Sequence, residues 1–306
     1  MRVSSAVAIL VASICSSPAR AQAPEATSLF GKPLVSAQPT GETKARLEAD
    51  LARARADVER DPSSADSATW LGRRLAYLGR FRDAIDVYTK AIALHPNEPR
   101  LYRHRGHRYI TIRQFDLAVA DLTKASQLVA GKPDEIEPDG APNARGLPRS
   151  TLQSNIWYHL GLGHYLNGRF DQALAAYREG MKVSRVNDDM LVATSDWLYM
   201  TLRRMKRDDE AGAVLEPIKE QMDIIENGAY HARLLMYKGL RTAESVLNLN
   251  TADDIQIATQ GYGVGNWYLV NGDREKAKEV FDRVLAGRAW TAFGFIAAEA
   301  DLRRGF

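Results

Sequence analysis

The fold is decided by residues 71–125, LGRRLAYLGRFRDAIDVYTKAIALHPNEPRLYRHRGHRYITIRQFDLAVADLTKA, which contain one pattern written twice at a spacing of 34 residues. The two copies agree at small, aromatic and polar positions. Gly72 matches Gly106, Phe81 matches Phe115, Ala84 matches Ala118, and Thr89-Lys90-Ala91 matches Thr123-Lys124-Ala125. A fixed period of this length indicates a repeat architecture, in which similar units stack on one another and share a continuous core.

One small residue marks the second helix of each unit along the whole chain. The markers are Ala84, Ala118, Ala173, Ala211, Ala243 and Ala277, at intervals of 34, 55, 38, 32 and 34 residues. The long interval contains an insertion, residues 129–150. A small side chain suits this position because the two helices of a hairpin approach most closely there. The period therefore predicts about six helical hairpins.

These hairpins resemble tetratricopeptide repeats, whose pattern is Trp-x2-Leu-Gly-x2-Tyr, then Ala-x3-Phe, then Pro. The third unit matches it with Trp157, Leu160, Gly161, Ala173 and Tyr177. The units around Ala211 and Ala243 depart from it, because Tyr199 and His231 stand where glycine is expected. The resemblance covers about residues 65–291. It implies an all-α, right-handed superhelix of repeats.

The ends of the chain carry separate predictions. The stretch 22–41 has several prolines and little periodicity, which predicts an extended linker before a repeat domain over 42–306. A first helix is predicted over 43–60. A last helix, 291–303, is predicted to cap the superhelix, with Glu299, Asp301, Arg303 and Arg304 on a charged outer face. The insertion 129–150 is unusually long for a helix–helix connection, and the sequence leaves open whether it is functional or disordered.

The N-terminus has the features of a secretory signal peptide. A basic start, Met1-Arg2, precedes a short apolar run over residues 3–15 and the small-residue motif Ala19-Arg20-Ala21. This pattern predicts that residues 1–21 are cleaved before Gln22 and that the protein is exported, to the periplasm or outside the cell. The apolar run is too short to span a bilayer, and no later stretch is apolar enough to do so.

Composition narrows the function further. The chain's single cysteine, Cys15, lies in the predicted signal peptide, so the mature chain has no disulfide, thiolate metal site or cysteine nucleophile. Without Arg2 and Arg20 the formal net charge falls from +3 to +1. A nearly neutral exported chain is a poor candidate for binding nucleic acid.

Motifs for catalysis, cofactors and metals are weak. Gly261-x-Gly263-x-Gly265 lies inside a predicted helix and lacks the rest of a phosphate loop. His104 and His107 are spaced to meet one metal, but they are better explained as solvated or groove-lining side chains. The acidic residues 135–139 lack the final ligand of a calcium loop. We therefore predict no cofactor, no metal and no catalytic centre.

The resemblance also predicts where a ligand binds. In tetratricopeptide proteins the first helix of each hairpin faces the concave side, and the matching positions here are cationic and aromatic. They are Arg73, Tyr77, Arg100, Arg103, His107, Tyr158, Tyr165, Arg203 and Arg204. Arginine forks suit carboxylates, and tyrosines give rigid contact area. The other interpretation is that several of these arginines pair with neighbouring acids.

The predicted function is a non-catalytic scaffold that binds a protein or extended peptide, with acidic groups, in this groove. The alternative is a small-molecule carrier or an enzyme that uses the groove with the 129–150 loop as a lid. A third hypothesis is an assembly factor that dimerises through its terminal helix.

Overall fold

The computed structural model describes residues 23–306, and the predicted signal peptide lies outside this range. Two short strands, β1 (Ala26–Thr27) and β2 (Pro33–Leu34), precede fourteen helices within it. The helices are α1 (Gly41–Arg60), α2 (Ala65–Tyr77), α3 (Phe81–Leu94), α4 (Pro99–Thr111), α5 (Phe115–Val129), α6 (Leu152–Leu166), α7 (Phe170–Ser184), α8 (Asp188–Arg204), α9 (Asp208–Leu215), α10 (Gly228–Tyr237), α11 (Ala243–Val246), α12 (Asp254–Val270), α13 (Arg274–Ala286) and α14 (Phe293–Arg304). The prediction of an all-α repeat fold is confirmed.

The helices pair as six consecutive hairpins, from α2–α3 to α12–α13, with α1 before them and α14 after them. The two units that depart from the repeat pattern have short second helices: α9 has 8 residues and α11 has 4. Stacked hairpins of this kind form an α-solenoid, in which each unit buries its faces on its neighbours.

The marker alanines lie where the hairpins close. Ala84, Ala118, Ala173, Ala211 and Ala277 are 0% exposed, and Ala243 is nearly as buried. In the first unit the facing position is Gly72, where an added Cβ would lie 2.3 Å from the Tyr88 ring. A larger side chain at such a contact forces the helices apart, at a cost of about 1–3 kcal/mol.

The turns inside the six hairpins each contain a residue with positive φ, which is glycine in four of them and arginine or lysine in two. Gly79 has φ +73° in the first turn, but Arg113 occupies the matching position 34 residues later, with φ +67°. A non-glycine residue in this left-handed region costs on the order of 1 kcal/mol. Arg113 is nonetheless buried, and its Nη2 lies 2.8 Å from Glu299 Oε2 on α14. The strained turn thus places a cation where the last helix needs one.

The segment before α1, predicted as a linker, packs onto both ends of the solenoid. β1 and β2 pair antiparallel, and Ala26 is buried. Ser36 Oγ donates to Gly79 O at 2.8 Å in the first hairpin. Trp290 Nε1 donates to Val35 O at 2.9 Å, close to the start of α14. Residues 25–36 therefore join the first hairpin to the C-terminal helix.

Helix α14 follows the last hairpin as predicted, but the prediction of a charged outer face is wrong for two of its four residues. Glu299 is 1% exposed and Asp301 is 0% exposed. Asp301 Oδ2 accepts from Arg204 Nη1 on α8 at 2.7 Å, and Gly294 packs against Ala258 of α12. Because α8 and α12 are first helices of hairpins, α14 lies on the concave side. Glu299 and Asp301 face inward because they pair there with Arg113 and Arg204.

The inserted loop crosses the same concave side. It begins after α5 and forms an antiparallel bridge between Ile136 and Thr151 just before α6. On one side Arg74 Nη1 donates to Gly140 O at 2.8 Å, and on the other Arg149 Nε lies 3.1 Å from Asp189 Oδ2 on α8. These contacts hold the loop between the first hairpin and the fourth.

Candidate functional site: a cationic pocket on the concave side

Four of the nine predicted groove residues, Arg73, Tyr77, Arg103 and His107, line a single cavity of about 140 Å³. We call it the cationic pocket. Helices α2, α3 and α4 form three of its walls, and the inserted loop forms the fourth. Its other lining residues are Ala76, Tyr88, His104, Arg108 and Glu137.

Glu137 is the one carboxylate that lines the cationic pocket, and it comes from the inserted loop. It is 5% exposed, and its Oε2 lies 3.1 Å from Arg103 Nε. The same carboxylate lies 3.3 Å from His104 Nε2 and accepts from Asn155 Nδ2 at 3.0 Å. A buried carboxylate needs such partners, because desolvation otherwise costs several kcal/mol. Both oxygens of Glu137 are therefore engaged, by Arg103, His104 and Asn155.

The two histidines of the pocket are neutral. Arg103 Nη1 donates to His104 Nδ1 at 2.9 Å, so the single ring proton of His104 sits on Nε2, facing Glu137. Burial, together with the charges of Arg103 and Arg73, lowers the pKa of His104 well below its usual value. Burial and the charge of Arg108 lower the pKa of His107 in the same way. The positive charge of the pocket therefore rests on its arginines.

Arg108 is the surplus cation of the pocket. Within residues 23–306 its guanidinium forms no hydrogen bond and no ion pair, and it lies over the Phe81 ring at 5.7 Å. Burial lowers the pKa of Arg108 to about 10. An arginine has five N–H donors, and leaving them unpaired near other arginines is unfavourable. Within residues 23–306 these donors of Arg108 have no acceptor from the chain itself.

The loop approaches the pocket through Gly140. A Cβ built at this glycine would lie 1.9 Å from the Tyr77 hydroxyl and 2.8 Å from Arg73 Nη2. Arg73 Nη2 also donates to Pro138 O at 2.8 Å. Only a residue without a side chain allows the backbone to come so close, so residues 137–140 cover the pocket from the loop side.

The cationic pocket adjoins a wider cleft of about 460 Å³. Ala76, Tyr77, His107 and Arg108 line both spaces. The cleft adds Ser36 from the N-terminal segment, Thr111 at the end of α4, and Arg288 and Trp290 before α14. It gives a ligand a way to Arg108 that does not require the loop to move.

Behind His107 lies a second concave feature, which we call the aromatic cavity. It consists of two adjoining spaces of about 280 and 230 Å³ that share Glu226, Asn227, Tyr230 and Phe293. The predicted residue Tyr158 lines it, with its hydroxyl 2.5 Å from that of Tyr230. Trp197 Nε1 donates to the Tyr158 hydroxyl at 2.8 Å.

His107 and His159 separate the aromatic cavity from the cationic pocket. Their ring centroids are 4.4 Å apart. His107 lines the pocket and His159 lines the cavity. The two features are therefore neighbours on one surface.

The other four predicted residues lie elsewhere, and three of them are arginines paired with the chain's own acids. Arg204 binds Asp301, Arg203 Nε lies 2.8 Å from Asp208 Oδ1, and Arg100 Nη1 lies 2.9 Å from Asp66 Oδ1. Tyr165 is 0% exposed, and its hydroxyl lies 2.6 Å from that of Tyr262. The interpretation that several arginines pair with neighbouring acids holds for these three.

Sequence reasoning missed Arg108 and Tyr88 in the pocket, and it offered His104 only as a solvated or groove-lining side chain, whereas His104 is 5% exposed and lines the pocket. The transferred positions place Arg103 and His107 on one row of α4, four residues apart. His104 and Arg108 form the adjacent row at the same spacing, and neighbouring rows of a helix share a face. That signal was present in the sequence. Glu137 and Phe293 had no such signal, because their positions depend on how the loop and α14 fold back.

Across residues 23–306 no three or more His, Cys, Asp or Glu side chains are grouped so that they could hold a metal ion. In the same range no helix has both the length and the apolar character that a bilayer crossing needs.

Comparison with known proteins agrees with the repeat fold. No protein-family model matches the chain. The small glutamine-rich tetratricopeptide repeat-containing protein 2 of Mycosarcoma maydis is 29% identical over 105 residues, which are 34% of this chain and 24% of that protein. This match is to part of a protein named for tetratricopeptide repeats, and the chain itself is a helical repeat protein. BBSome complex member BBS4 of Bos taurus is 28% identical over 141 residues, 46% of this chain and 23% of that protein.

The chain spans about a quarter of the length of these curated relatives. Among solved structures, YrrB, described as a tetratricopeptide protein with an unusual peptide-binding site, is 15% identical with a TM-score of 0.43, over 77% of this chain and 92% of that one. Pseudomonas aeruginosa pilF is 16% identical with a TM-score of 0.47, over 80% and 85%. At these identities and scores the likeness says nothing about a partner or a function of this chain.

Proposed function

We propose that this protein is a non-catalytic binding protein that holds a protein or an extended peptide by an acidic group at the cationic pocket. The observation that carries the proposal is the balance of three arginines, Arg73, Arg103 and Arg108, against the single carboxylate of Glu137. A preformed concave surface on stacked hairpins lowers the ordering cost of binding.

The cleft and the aromatic cavity give the partner further contacts. The cleft lets an extended segment lie across Tyr77 and Trp290 while its acidic group reaches Arg108. Aromatic residues such as these are enriched at binding hot spots, because they offer rigid area with a polar tip. The partner's acidic group gives register, and its apolar side chains give most of the buried area.

Direct binding tests this proposal. Fluorescent peptides rich in Glu and apolar residues are titrated with the mature protein, beside peptides in which every Glu is replaced by Gln. We expect the acidic peptides to bind and an Arg73→Ala, Arg108→Ala double variant to weaken them at least tenfold. The matched control is Arg303→Ala, which removes an exposed charge on α14. Equal binding of acidic and amidated peptides would contradict the proposal.

We also propose that the protein is exported, on the basis of the signal-peptide pattern over residues 1–21. The test is N-terminal mass analysis of the protein from fractionated cells. A mature terminus at Gln22 in the periplasmic or secreted fraction supports export, and an intact Met1 in the cytoplasmic fraction contradicts it.

A second candidate is a small-molecule carrier or an enzyme in which the inserted loop acts as a lid. The observation in its favour is that the loop lines both concave spaces, through Glu137 in the pocket and Ser150 in the aromatic cavity. Native mass spectrometry of the purified protein distinguishes it, because a carrier retains a small ligand of defined mass.

A further inference from the structure

The charge of the cationic pocket fits a specific kind of anion. Three guanidinium groups face it, one carboxylate opposes them, and both histidines are neutral, so the pocket carries a formal charge of about +2. A carboxylate of charge −1 would leave one cation unbalanced. A phosphate monoester carries about −1.5 to −2 at pH 7 and neutralises the pocket.

The chain's own carboxylates supply only part of this charge. Glu137 is engaged by Arg103, His104 and Asn155. Arg73 Nη2 donates to the backbone oxygen of Pro138, and the guanidinium also interacts with the charge of the nearby Asp139 carboxylate without a hydrogen bond to it. Arg103, 8% exposed, keeps its Nε without a well-aligned hydrogen bond in the described chain. Together with the unpartnered Arg108, these groups leave several N–H donors for oxygens of a ligand.

The size and the donors of the pocket agree with a compact tetrahedral group. A space of about 140 Å³ holds one such group and excludes a length of peptide backbone. Guanidinium forks bind phosphate oxygens two at a time, which a point charge does not. The Tyr77 hydroxyl and the N–H of neutral His107 offer uncharged donors for a remaining oxygen, and the cleft holds whatever the phosphate is attached to.

We propose that the cationic pocket binds the phosphate monoester group of a ligand, with Arg108 as its principal partner and Arg73 and Arg103 at its sides. This inference rests on the proposed function only in placing the ligand on the concave surface. Two sources of the group share this chemistry: a phosphorylated side chain of a partner protein and a free phosphorylated small molecule.

Ligand-induced stabilisation at constant ionic strength gives the first test. The mature protein is melted with phenyl phosphate, inorganic phosphate or benzoate. A ligand that binds the folded state raises Tm with its concentration. We expect phenyl phosphate to bind at least tenfold more tightly than benzoate, Arg108→Gln to weaken it at least tenfold, and Arg303→Gln to leave it unchanged. If Arg108→Gln does not fold, Arg108→Lys keeps the charge and removes only the fork.

Substitution of the pocket's carboxylate gives the second test. Glu137→Gln raises the formal charge by one, so we expect it to tighten phenyl phosphate binding severalfold while lowering Tm in the absence of ligand. If Glu137 had only a structural role, the substitution would lower both the Tm and the affinity for phenyl phosphate. Weaker phosphate binding in this variant would therefore contradict the inference.

Competition separates the two sources and the two proposals. A phosphoserine peptide that binds at least tenfold more tightly than free phosphoserine indicates a protein partner, and equal affinities indicate a small molecule; either result supports the phosphate site. Benzoate that matches or exceeds phenyl phosphate overturns the phosphate inference and leaves the proposed acidic-group binding intact. Failure of every phosphate ligand to bind overturns the inference. Binding of the unphosphorylated Glu-rich peptides tests the proposed function separately.

Discussion

The cationic pocket and the contact between α14 and the solenoid contain the same residue types in opposite states of balance. At the α14 contact, Glu299 pairs with Arg113 and Asp301 pairs with Arg204, so each cation meets an acid. The cationic pocket is lined by three arginines and one carboxylate, Glu137, which pairs with Arg103. A cationic lining is therefore not in itself a binding site, because two of these arginines, Arg113 and Arg204, pair with acids of the chain and hold α14 in place.

The chain therefore supplies acidic ligands to its own concave surface. Helix α14 packs against α12 and α13, and it brings Glu299 to Arg113 and Asp301 to Arg204. The inserted loop does the same for Arg103. What remains available to a partner is the part of the surface that these two segments leave unneutralised, which centres on Arg108.

The largest expected effect comes from breaking the α14 contact. Glu299→Ala leaves Arg113 buried without its acid and is expected to lower the free energy of unfolding by about 3–5 kcal/mol. Urea unfolding measures it. Arg303→Ala on the same helix is the control and should stay within about 0.5 kcal/mol of the parent protein. A loss below 1 kcal/mol in Glu299→Ala would show that the pair does not hold α14 in place.

The next largest effect is a loss of folding stability at acidic pH, caused by the buried histidines in and beside the cationic pocket. Burial lowers the pKa of His104, His107 and His159 well below the usual value. The unfolded chain then binds more protons than the folded chain between the folded and unfolded pKa values. Stability is complete above about pH 6.5 and falls as the pH drops below it, by about 1.4 kcal/mol per pH unit for each histidine.

Melting the protein between pH 7.5 and pH 5 checks this prediction. His107→Gln should reduce the loss of Tm on acidification, whereas His95→Gln, outside the pocket, should not change it. An identical pH profile in the parent protein and His107→Gln would contradict the view that His107 is buried in its neutral form.

The smallest effect is expected at Arg100, a predicted groove residue. Its two partners, Asp66 and Glu98, are 61% and 23% exposed, and ion pairs that solvent reaches in this way contribute about 0–1 kcal/mol. Arg100→Ala should change the unfolding free energy by less than about 1 kcal/mol and leave acidic-peptide binding unchanged. A tenfold loss of peptide binding would place Arg100 within the site after all.

The sequence was sufficient for the repeats and insufficient for the way the chain closes. Spacing located the hairpins because close helix contacts demand small residues such as Ala84 and Ala118, and this is a local requirement. It also placed Arg73, Tyr77, Arg103 and His107 on one surface. Local rules gave no means of knowing that Glu299 and Asp301 face inward, because that depends on partners roughly 100 or more residues away.

The same limit applies to individual arginines. Arg108 and Arg204 both lie on first helices, and nothing in their immediate sequence separates a free cation from a paired one. The difference arises only when α14 brings Asp301 to Arg204 and no segment of the described chain brings an acid to Arg108. The sequence does contain a weak signal for Arg113. An arginine in the turn position that Gly79 occupies in the first hairpin indicates that its side chain is needed for a contact.

The most direct test of this account compares Arg204→Ala with Arg108→Ala in equilibrium urea unfolding without any added anion. Arg204→Ala is predicted to lower the free energy of unfolding by about 1.5–3 kcal/mol, because the buried Asp301 loses one of its two cations and keeps only Arg304 and the Tyr262 hydroxyl. Arg108→Ala is predicted to change stability by less than about 1 kcal/mol or to increase it, because the partly exposed cation that is removed makes no hydrogen bond or ion pair within the described chain. Equal and large losses in both variants would contradict the claim that the concave surface is neutralised at α14 and left open at the cationic pocket.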